Sequence, residues 1–332
     1  MGEGGQAVVK DGASARSRGR TRLLAAAALV SGIFVFSLQD VILKGMSGIY
    51  PLTEAITIRA AAAILILIVY IGAFEGWRRL LPQRIGLLLF RGAIMMVAYS
   101  AYYMGFPAMK LAEVVTLFFM APVFITALAH PFLGERVGLG HWLAVLVGFL
   151  GVIVTYWPSL ELFGGPAAPR SFNWALLLPV LAALTYAIPQ LMARRMATDA
   201  SASVMGLYQS IMYLAFSLGL ALLFSLGDFS TADMHPSLAF LLRGWVFHGW
   251  NDLLLLAACG PISALGTVLL SQAYRMAEAN FVASFEYSGM IWAAGWGFLI
   301  WGELPDWYMA AGAALIVAAG LYMLFFGRKE HG

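Results

Sequence analysis

The chain has 332 residues, of which 61% are hydrophobic and 11% charged, and its formal net charge is +3. Soluble domains carry about 45–50% apolar and about 25% charged residues, so this composition excludes an ordinary soluble protein. The small positive charge reports membrane topology and does not indicate a nucleic-acid partner. The single cysteine, Cys259, excludes an intrachain disulfide.

A polar segment, residues 1–21, opens the chain, and we expect it to be a disordered cytoplasmic tail. Ten hydrophobic segments follow, each close to the roughly 20 residues that a bilayer-crossing helix needs. The predicted spans are residues 22–45, 52–74, 84–107, 111–132, 139–157, 173–194, 203–226, 249–274, 280–302 and 306–327. They leave no room for a separate soluble domain.

The connections between the spans are mostly short. Residues 158–172 are predicted to form an outer linker, and residues 328–332 a second cytoplasmic tail. The longest connection is 227–248, in which the stretch from Leu241 to Trp245 is expected to lie along the membrane interface.

The lysine and arginine residues orient the chain. With a cytoplasmic N-terminus, 14 of the 20 lie on the cytoplasmic side and four on the outer side, while Arg59 and Arg91 fall within spans. The even number of spans returns the C-terminus to the cytoplasm. The sequence therefore predicts a multi-pass protein of a bacterial-type inner (plasma) membrane with both termini cytoplasmic.

The chain contains an internal repeat. Lys110-Leu111-Ala112-Glu113 precedes span four and Arg275-Met276-Ala277-Glu278 precedes span nine, and each span ends in Gly-Glu, at Gly134-Glu135 and Gly302-Glu303. A local explanation exists for each Gly-Glu, because glycine ends helices and glutamate favours the start of the next one. Their recurrence after matching starts favours a duplication of five spans, residues 22–157 and 173–327. An odd number of spans inverts the second copy, as in many secondary transporters.

Taken in order, these motifs resemble the EamA-type carriers of the drug/metabolite transporter superfamily, from about Arg22 to Phe326. The matching pieces are Arg91-Gly92, Leu111-Ala112-Glu113 through Ala121-Pro122, Gly134-Glu135-Arg136, Ala273-Tyr274-Arg275, Phe285-Glu286-Tyr287-Ser288 and Gly302-Glu303-Leu304-Pro305-Asp306. The resemblance implies an all-α polytopic fold of ten helices in two inverted five-helix repeats. It also implies a central cavity lined by spans one to four and six to nine. Spans five and ten would be peripheral, where their small-residue faces would support a homodimer.

Three charged residues lie well inside predicted spans: Arg59 on span two, Arg91 on span three and Glu286 on span nine. A charge at a helix centre costs about 2.5–3.5 kcal/mol on insertion scales, so each needs a partner, a wet cavity or a function. Guanidiniums that face the cavity would bind a carboxylate or phosphate, which fits an amino acid or another organic anion. Two alternatives stay open: a static Arg91–Glu286 pair, and an Arg59 that extends to the outer interface.

Asp40 precedes Lys44 by four residues near the outer end of span one, so both lie on one helix face. A salt bridge at the rim is the first interpretation of this pair. The alternative is that Asp40 couples transport to protons, because protonatable carboxylates do so in many carriers. Glu286 is a second candidate for proton coupling.

Polar and aromatic residues on the spans complete the predicted substrate site. Rings supply apolar walls and amides fix orientation, although such residues also form interhelical hydrogen bonds and interface belts. The full set of predicted substrate contacts is Arg59, Arg91, Tyr103, Gln190, Gln209, Glu286 and Tyr287. Pro122, Pro189 and Pro261 lie inside spans four, six and eight and predict helix breaks beside this site.

Motifs of other function classes do not occur in the sequence. It has no His-Glu-x-x-His, no Walker-type phosphate loop and no cysteine cluster, so we expect no catalytic residues, metal or cofactor. Without ATP machinery, uphill transport has to use an ion gradient or the gradient of the substrate itself. The only expected partners are a small-molecule substrate, the lipid bilayer and a second copy of the chain.

These features predict a secondary active transporter, not an enzyme, that moves a small metabolite by alternating access. The resemblance implies export or exchange of an amino-acid-like or anionic compound, because family members mostly export amino acids and other metabolites. Similar carriers import riboflavin or S-adenosylmethionine, so uptake of a larger metabolite is the first alternative. An intramembrane lipid-modifying enzyme that uses Glu286 or Asp40 as a base is the alternative of another class, and a channel is a third.

Overall fold

The computed structural model describes residues 3–108, 111–157, 174–225, 234–301 and 307–325. Over these ranges the regular secondary structure is helical and contains no strand. Six helices are long and apolar enough to cross a membrane, and three shorter apolar helices span Ala121–Leu133, Leu139–Val154 and Ala310–Tyr322. The prediction of a polytopic all-α membrane protein is thereby confirmed.

The first half of the chain supplies six helices: α1 (Glu3–Met46), α2 (Leu52–Tyr70), α3 (Ile85–Met104), α4 (Leu111–Phe118), α5 (Ala121–Leu133) and α6 (Leu139–Tyr156). The second half supplies α7 (Leu177–Arg195), α8 (Ala202–Ser225), α9 (Pro236–Leu242), α10 (Trp250–Met276), α11 (Ala279–Ala283), α12 (Gly289–Trp301) and α13 (Trp307–Phe325). Helices α4 and α5 together replace predicted span four, and α11 and α12 replace predicted span nine. Predicted spans one, two and three correspond to α1–α3, spans five to eight to α6, α7, α8 and α10, and span ten to α13.

Helix α1 extends beyond the predicted first span. It begins at Glu3 and includes most of the segment for which the sequence predicts a disordered tail. This segment contains no proline, which would break the helix, although its five glycines have a low helix propensity.

Two of the predicted spans are interrupted, span four near its middle and span nine closer to its start. Helix α4 ends at Phe118 and α5 begins at Ala121, with Pro122 in the first turn of α5, where its missing N–H breaks no helical hydrogen bond. In span nine, a 3-10 turn at Glu286–Ser288 separates α11 from α12. The predicted proline break therefore occurs at Pro122 only, because α7 and α10 continue through Pro189 and Pro261.

Helices of the two halves pack against each other in an interleaved pattern. Helix α1 packs on α10, α3 on α7, α2 on α8, and α6 on α13. Every one of these contacts joins a helix of the first half to a helix of the second. The halves therefore share one bundle, and the space at its centre is bounded by both.

The connection before α10 crosses the start of α2. The Arg243 guanidinium donates to the carbonyl of Gly48 over 3.0 Å, and Nε1 of Trp245 donates to Oγ1 of Thr53 over 3.0 Å. The backbone N–H of Val246 donates to Glu54 over 3.0 Å. The segment predicted to lie along the interface, Leu241 to Trp245, thus comprises the end of α9 and the start of an irregular strap that is fixed to the other half.

Glycines allow α6 and α13 to approach closely. A Cβ atom on Gly151 would lie 2.8 Å from the carbonyl oxygen of Gly312 and 2.9 Å from Cγ1 of Ile316. Gly148 faces the ring of Tyr287, and Gly320 faces that of Phe285. The small-residue faces of spans five and ten are therefore occupied within the chain, and a homodimer, which stays a prediction, would need another surface.

Replacement of Gly151 by leucine should destabilise the protein by about 1–3 kcal/mol, because the new side chain has to push α13 away. Thermal unfolding of the purified protein in detergent measures this effect. Gly219→Leu on α8 is the matched control, since nothing lies within 4 Å of a Cβ there. The control should be neutral or slightly stabilising, because leucine has the higher helix propensity. Equal melting temperatures for the two variants would contradict the close α6–α13 packing.

Candidate functional site

A cavity of about 190 Å³ lies at the centre of the bundle, between the two halves. Helices α1, α3, α4, α7, α8, α10 and α12 and the Glu286–Ser288 turn form its walls. Within the described part of the chain no residue of α2 lines it, so the expectation that span two contributes is wrong. The walls are largely aromatic, with Phe36, Tyr99, Tyr102, Tyr103, Phe118, Phe119, Tyr186, Tyr213 and Trp296.

Arg91 lies in the cavity wall and is hydrogen-bonded to three helices at once. Its Nε donates to the carbonyl of Pro189 on α7 over 3.1 Å, and its Nη1 donates to Oε1 of Gln209 on α8 over 3.0 Å. Its Nη2 donates to Oγ of Ser271 on α10 over 3.1 Å. All three acceptors are neutral and buried, so the charge is solvated by the protein rather than by a counter-ion.

The glycine that follows Arg91 makes this arrangement possible. A Cβ on Gly92 would lie 3.1 Å from the Cα of Gln209 and 2.9 Å from Cγ of Met212. Only glycine allows α8 to come this close to α3, which places the Gln209 amide beside the guanidinium. The Arg91-Gly92 pair therefore has a physical explanation in the packing of α3 against α8.

Glu286 is held by two tyrosine hydroxyls. Tyr186 donates to Oε1 over 3.0 Å and Tyr274 donates to the same oxygen over 2.8 Å. No ion pair joins Glu286 to Arg91, although both residues line the cavity and are described. The static Arg91–Glu286 pair is therefore not formed, because each residue is satisfied by neutral partners.

A second carboxyl group lies on α1. Tyr103 donates a hydrogen bond to Oδ1 of Asp40, and Nε2 of Gln39 donates to the Tyr103 hydroxyl over 3.2 Å. Asp40 forms no salt bridge with Lys44, whose Nζ lies 5.7 Å from the ring centroid of Phe106. The rim salt bridge is therefore a wrong interpretation, and Asp40 belongs to the cavity wall.

Two predicted substrate contacts lie outside the cavity wall. Arg59 is 1% exposed, and its guanidinium carbon lies 4.0 Å from the ring centroid of Tyr99 and 5.1 Å from that of Tyr213. It does not extend to the interface; instead Nη1 donates to the Tyr99 hydroxyl, behind the wall. Tyr287 is fully buried, with its ring against Gly148 and 5.7 Å from the ring centroid of Phe119. Both side chains support wall residues rather than the cavity itself.

Three hydroxyl-bearing wall residues are absent from the predicted substrate contacts, although their spacing in the sequence indicates them. Ser263, Thr267 and Ser271 recur every four residues, which places three small hydroxyl groups on one face of α10. Tyr186 and Gln190 have the same spacing on α7. Such polar pairs on an otherwise apolar span indicate a face that points into the bundle.

The predicted cytoplasmic end of the bundle is closed by charged contacts between the halves. Arg22 on α1 forms two hydrogen bonds with Glu278, of 3.1 and 3.0 Å. The carboxylate of Glu135 accepts from the backbone N–H of Ala279 over 3.0 Å, and its Oε1 lies 3.6 Å from Nε of Arg194. The sequence assigned Glu135 to the start of the next helix, α6, but it caps α11 of the other half instead.

The surroundings of Glu135 and Glu278 shift the pKa values of the two carboxyl groups in opposite directions. Burial raises the pKa of Glu135, even though its backbone hydrogen bonds and Arg194 act the other way. Burial is also the largest single effect on Glu278, but the hydrogen bonds from Arg22, a backbone hydrogen bond and the charges of Arg22 and Arg194 together outweigh it and lower the pKa of that carboxyl. Arg22 and Glu278 are therefore a charged pair, whereas Glu135 depends mainly on the amide groups of α11.

The opposite side of the same two spans is less closed. Helix α5 packs on α11, whereas α4 and α12 make no comparable contact among the described residues. The described contacts between spans four and nine are therefore concentrated at the predicted cytoplasmic end.

This chain resembles known proteins both in sequence and in fold. The sequence profile described as "EamA-like transporter family" matches residues 23–157. A solved structure described as "Crystal structure of protein" superposes with a TM-score of 0.71 over 93% of this chain and 99% of that one, at 15% identity. This likeness shows the fold alone.

Three curated relatives are named as transporters. The pseudopaline exporter CntI of Pseudomonas aeruginosa is 30% identical over 86% of this chain and 90% of its own length. A riboflavin transporter of Vibrio cholerae is 26% identical over 84% and 85%, and an S-adenosylmethionine uptake transporter of Rickettsia felis is 24% identical over 77% of both chains. These names point to transport and not to catalysis.

Replacement of Gln209 by leucine should destabilise the protein by about 1–3 kcal/mol, because it removes an acceptor from a buried charge. In an Arg91→Met background the same change should cost much less, since the unpaired donor is gone. Thermal unfolding of the two single variants and the double variant gives the coupling between the residues.

Gln272→Leu is the control for this experiment. It removes an acceptor of Arg275, which keeps a 2.6 Å hydrogen bond to the carbonyl of Ala197. The control should therefore cost less than Gln209→Leu. Purely additive effects of the two cavity substitutions would contradict the role assigned to Arg91.

Proposed function

Because the chain belongs to the EamA-like transporter family of the drug/metabolite transporter superfamily, we propose that it is a secondary active transporter that moves a small metabolite across the membrane by alternating access. We assign it to a bacterial-type inner membrane with both termini cytoplasmic. Its proposed activity is export or exchange of an amino-acid-like or anionic compound. Export is favoured because the relative with 30% identity is named an exporter, compared with 26% and 24% for the two uptake carriers.

One observation carries this proposal: the polar groups of a single buried cavity come from both halves of the chain. Asp40, Tyr103 and Arg91 belong to the first half, whereas Gln190 and Glu286 belong to the second. A substrate bound among them would contact both halves at once. Movement of one half against the other would then change the side from which that substrate is reached.

The proposed architecture is ten spans in two inverted repeats, and the packing pattern supports it. If spans one to five are exchanged with spans six to ten, α7 takes the place of α1 and α3 takes the place of α10. The α1–α10 contact then becomes the α7–α3 contact, and both contacts occur. The same exchange leaves the α2–α8 and α6–α13 contacts unchanged. It also exchanges the two interrupted spans, four and nine. The family profile over 23–157 agrees with the predicted bounds of the first repeat.

Proton coupling through Asp40 and Glu286 is part of the proposal. Each carboxyl group lines the cavity and accepts hydrogen bonds from tyrosine hydroxyls rather than from a cation. In the proposed cycle each of these carboxyl groups takes up a proton when the cavity closes without substrate. Substrate that supplies a positive group would favour release of the proton.

A second candidate function is uptake of a larger, aromatic metabolite. The specific observation in its favour is the wall of nine aromatic side chains, which would stack on a flat ring system. Two of the relatives are named for riboflavin and S-adenosylmethionine transport, which is consistent with this alternative.

Purified protein in proteoliposomes should catalyse saturable counterflow of labelled amino acids, and an imposed pH gradient should accelerate uptake. Glu286→Gln and Asp40→Asn should each slow this flux at least tenfold, because both remove a carboxylate from the cavity. Asp199→Asn, which breaks an ion pair with Arg84 outside the cavity, should transport normally. A chemically altered lipid would indicate an enzyme instead, and ion flux without saturation would indicate a channel. Flux that ignores the pH gradient would exclude proton coupling.

Alternating access requires the predicted cytoplasmic end to open, which breaks the Arg22–Glu278 pair. Glu278→Gln should therefore raise the fraction of molecules open to the cytoplasm. A cysteine at Leu270, which lines the cavity, in a Cys259→Ser background reports this opening. An impermeant maleimide added from the cytoplasmic side should react several times faster with the Glu278→Gln protein. Arg79→Gln is the control, because its pair with Glu75 lies within one linker. Equal rates in all three proteins would contradict the gating role of this pair.

A further inference from the structure

A cleft of about 450 Å³ lies apart from the central cavity, where α5 and α7 end at the predicted cytoplasmic face. It is lined by Phe132, Leu133, Glu135, Arg194 and Arg195. Phe132 and Leu133 are the last residues of α5, and Arg194 and Arg195 are the last residues of α7. Because both helices end here, the cleft lies at the level of the lipid head groups, where it combines apolar side chains with two arginines.

Arg195 brings a free positive charge to this cleft. The residue is exposed, and it forms no hydrogen bond or ion pair with any other described residue. Its guanidinium carries five N–H groups in a planar fork that matches two oxygens of a phosphate. All of these donors therefore stay available to a ligand.

Arg194 is only partly engaged within the chain. Its Nη1 donates to the carbonyl of Arg275 over 3.2 Å, and its Nε lies 3.6 Å from Oε1 of Glu135. The second distance is an ion-pair contact and exceeds the length of a hydrogen bond. Most N–H groups of this guanidinium can therefore bind a further acceptor beside Arg195.

The carboxylate in the cleft does not cancel these two charges. Glu135 accepts hydrogen bonds from the backbone N–H of Ala279 over 3.0 Å and from that of Asn280 over 3.4 Å. Its oxygens are thus committed to the start of α11. Two cations against one carboxylate leave the cleft positive, and the free donors belong to the arginines.

The apolar part of the cleft decides what kind of anion fits. Phe132 is 44% exposed, so its ring faces away from the core of the bundle at the edge of the bilayer. An acyl chain would cover this ring, whereas a free phosphate ester would leave it bare. The cytoplasmic leaflet carries anionic lipids, and each arginine near its surface is worth about fivefold in affinity.

We propose that this cleft binds the head group of an anionic phospholipid from the cytoplasmic leaflet. Arg194 and Arg195 hold the phosphate, and Phe132 packs against an acyl chain. This lipid is distinct from the transported compound, because none of the residues that line the cleft lines the central cavity.

Short-chain lipids test the site on the purified full-length protein in detergent. The melting temperature should rise with the concentration of dihexanoyl phosphatidylglycerol, and the midpoint of this rise gives its affinity. Dihexanoyl phosphatidylcholine, whose head group has no net charge, should bind at least about tenfold more weakly. Glycerol phosphate, which has no acyl chain, should also bind at least about tenfold more weakly, because it leaves Phe132 uncovered.

Variants with matched loss of charge locate the lipid. Arg194→Gln with Arg195→Gln should weaken binding of phosphatidylglycerol at least about tenfold. Arg78→Gln with Arg79→Gln removes two arginines from another linker at the same predicted face and should keep the wild-type affinity. Arg195→Gln alone removes no contact of the fold, so it should leave the melting temperature without lipid unchanged and weaken binding about fivefold.

Four results would overturn the proposal. Equal affinities for phosphatidylglycerol and phosphatidylcholine would show that charge does not select the lipid. Glycerol phosphate that binds as tightly as phosphatidylglycerol would make the cleft a site for soluble phosphate esters instead. Wild-type affinity in the Arg195→Gln protein would remove the cleft from the binding site, and an equal loss in the Arg78→Gln, Arg79→Gln protein would indicate nonspecific attraction to the whole face.

Discussion

The structure depends on one constraint: a bilayer offers no hydrogen-bond partners, so every polar group inside the bundle has to find its partner within the chain. The four ionisable groups at its centre contact mostly neutral partners. Arg91 is bonded to a backbone carbonyl, an amide and a hydroxyl, and Asp40 and Glu286 are bonded to tyrosines. Arg59 contacts the faces of two rings. Since these partners come from both halves, the polar centre itself holds the halves together.

The same constraint separates a fixed part of the bundle from a part that can change. Helices α6 and α13 meet through glycine and aliphatic contacts with no charge between the described residues, which suits a permanent interface. The cavity walls instead contain spans interrupted at Phe119–Met120 and at Ser284–Ser288, where tighter turns replace the regular α-helix, as in the bond from the N–H of Ser288 to the carbonyl of Phe285. Irregular backbone at membrane depth is tolerated only where protein or a wet cavity surrounds it. The interruptions therefore lie at the place where rearrangement costs least.

Much of the architecture follows from the sequence, because apolar length and charge placement act locally. The hydrophobic segments, the break at Pro122 and six residues of the cavity wall could be derived in this way, whereas the central cavity is implied by the family resemblance. The contact partner of each side chain could not be derived from the sequence, since it depends on which helices meet. Arg59 has the same sequence signature as Arg91, yet Arg59 packs behind the rings of Tyr99 and Tyr213, whereas Arg91 lines the cavity. Glu135 likewise has a plausible local role that a contact with distant α11 replaces.

The contact between Glu135 and α11 has a consequence for the synthesis of the protein. The amide groups that complete Glu135 belong to residues 144 and 145 positions further along the chain. While the ribosome is still translating the second half, the first half is already in the membrane with this carboxylate exposed at the surface. Glu278, the partner of Arg22, is synthesised equally late. The seal at this end is therefore completed only near the end of translation, so the nascent first half remains open until its counterpart has been inserted.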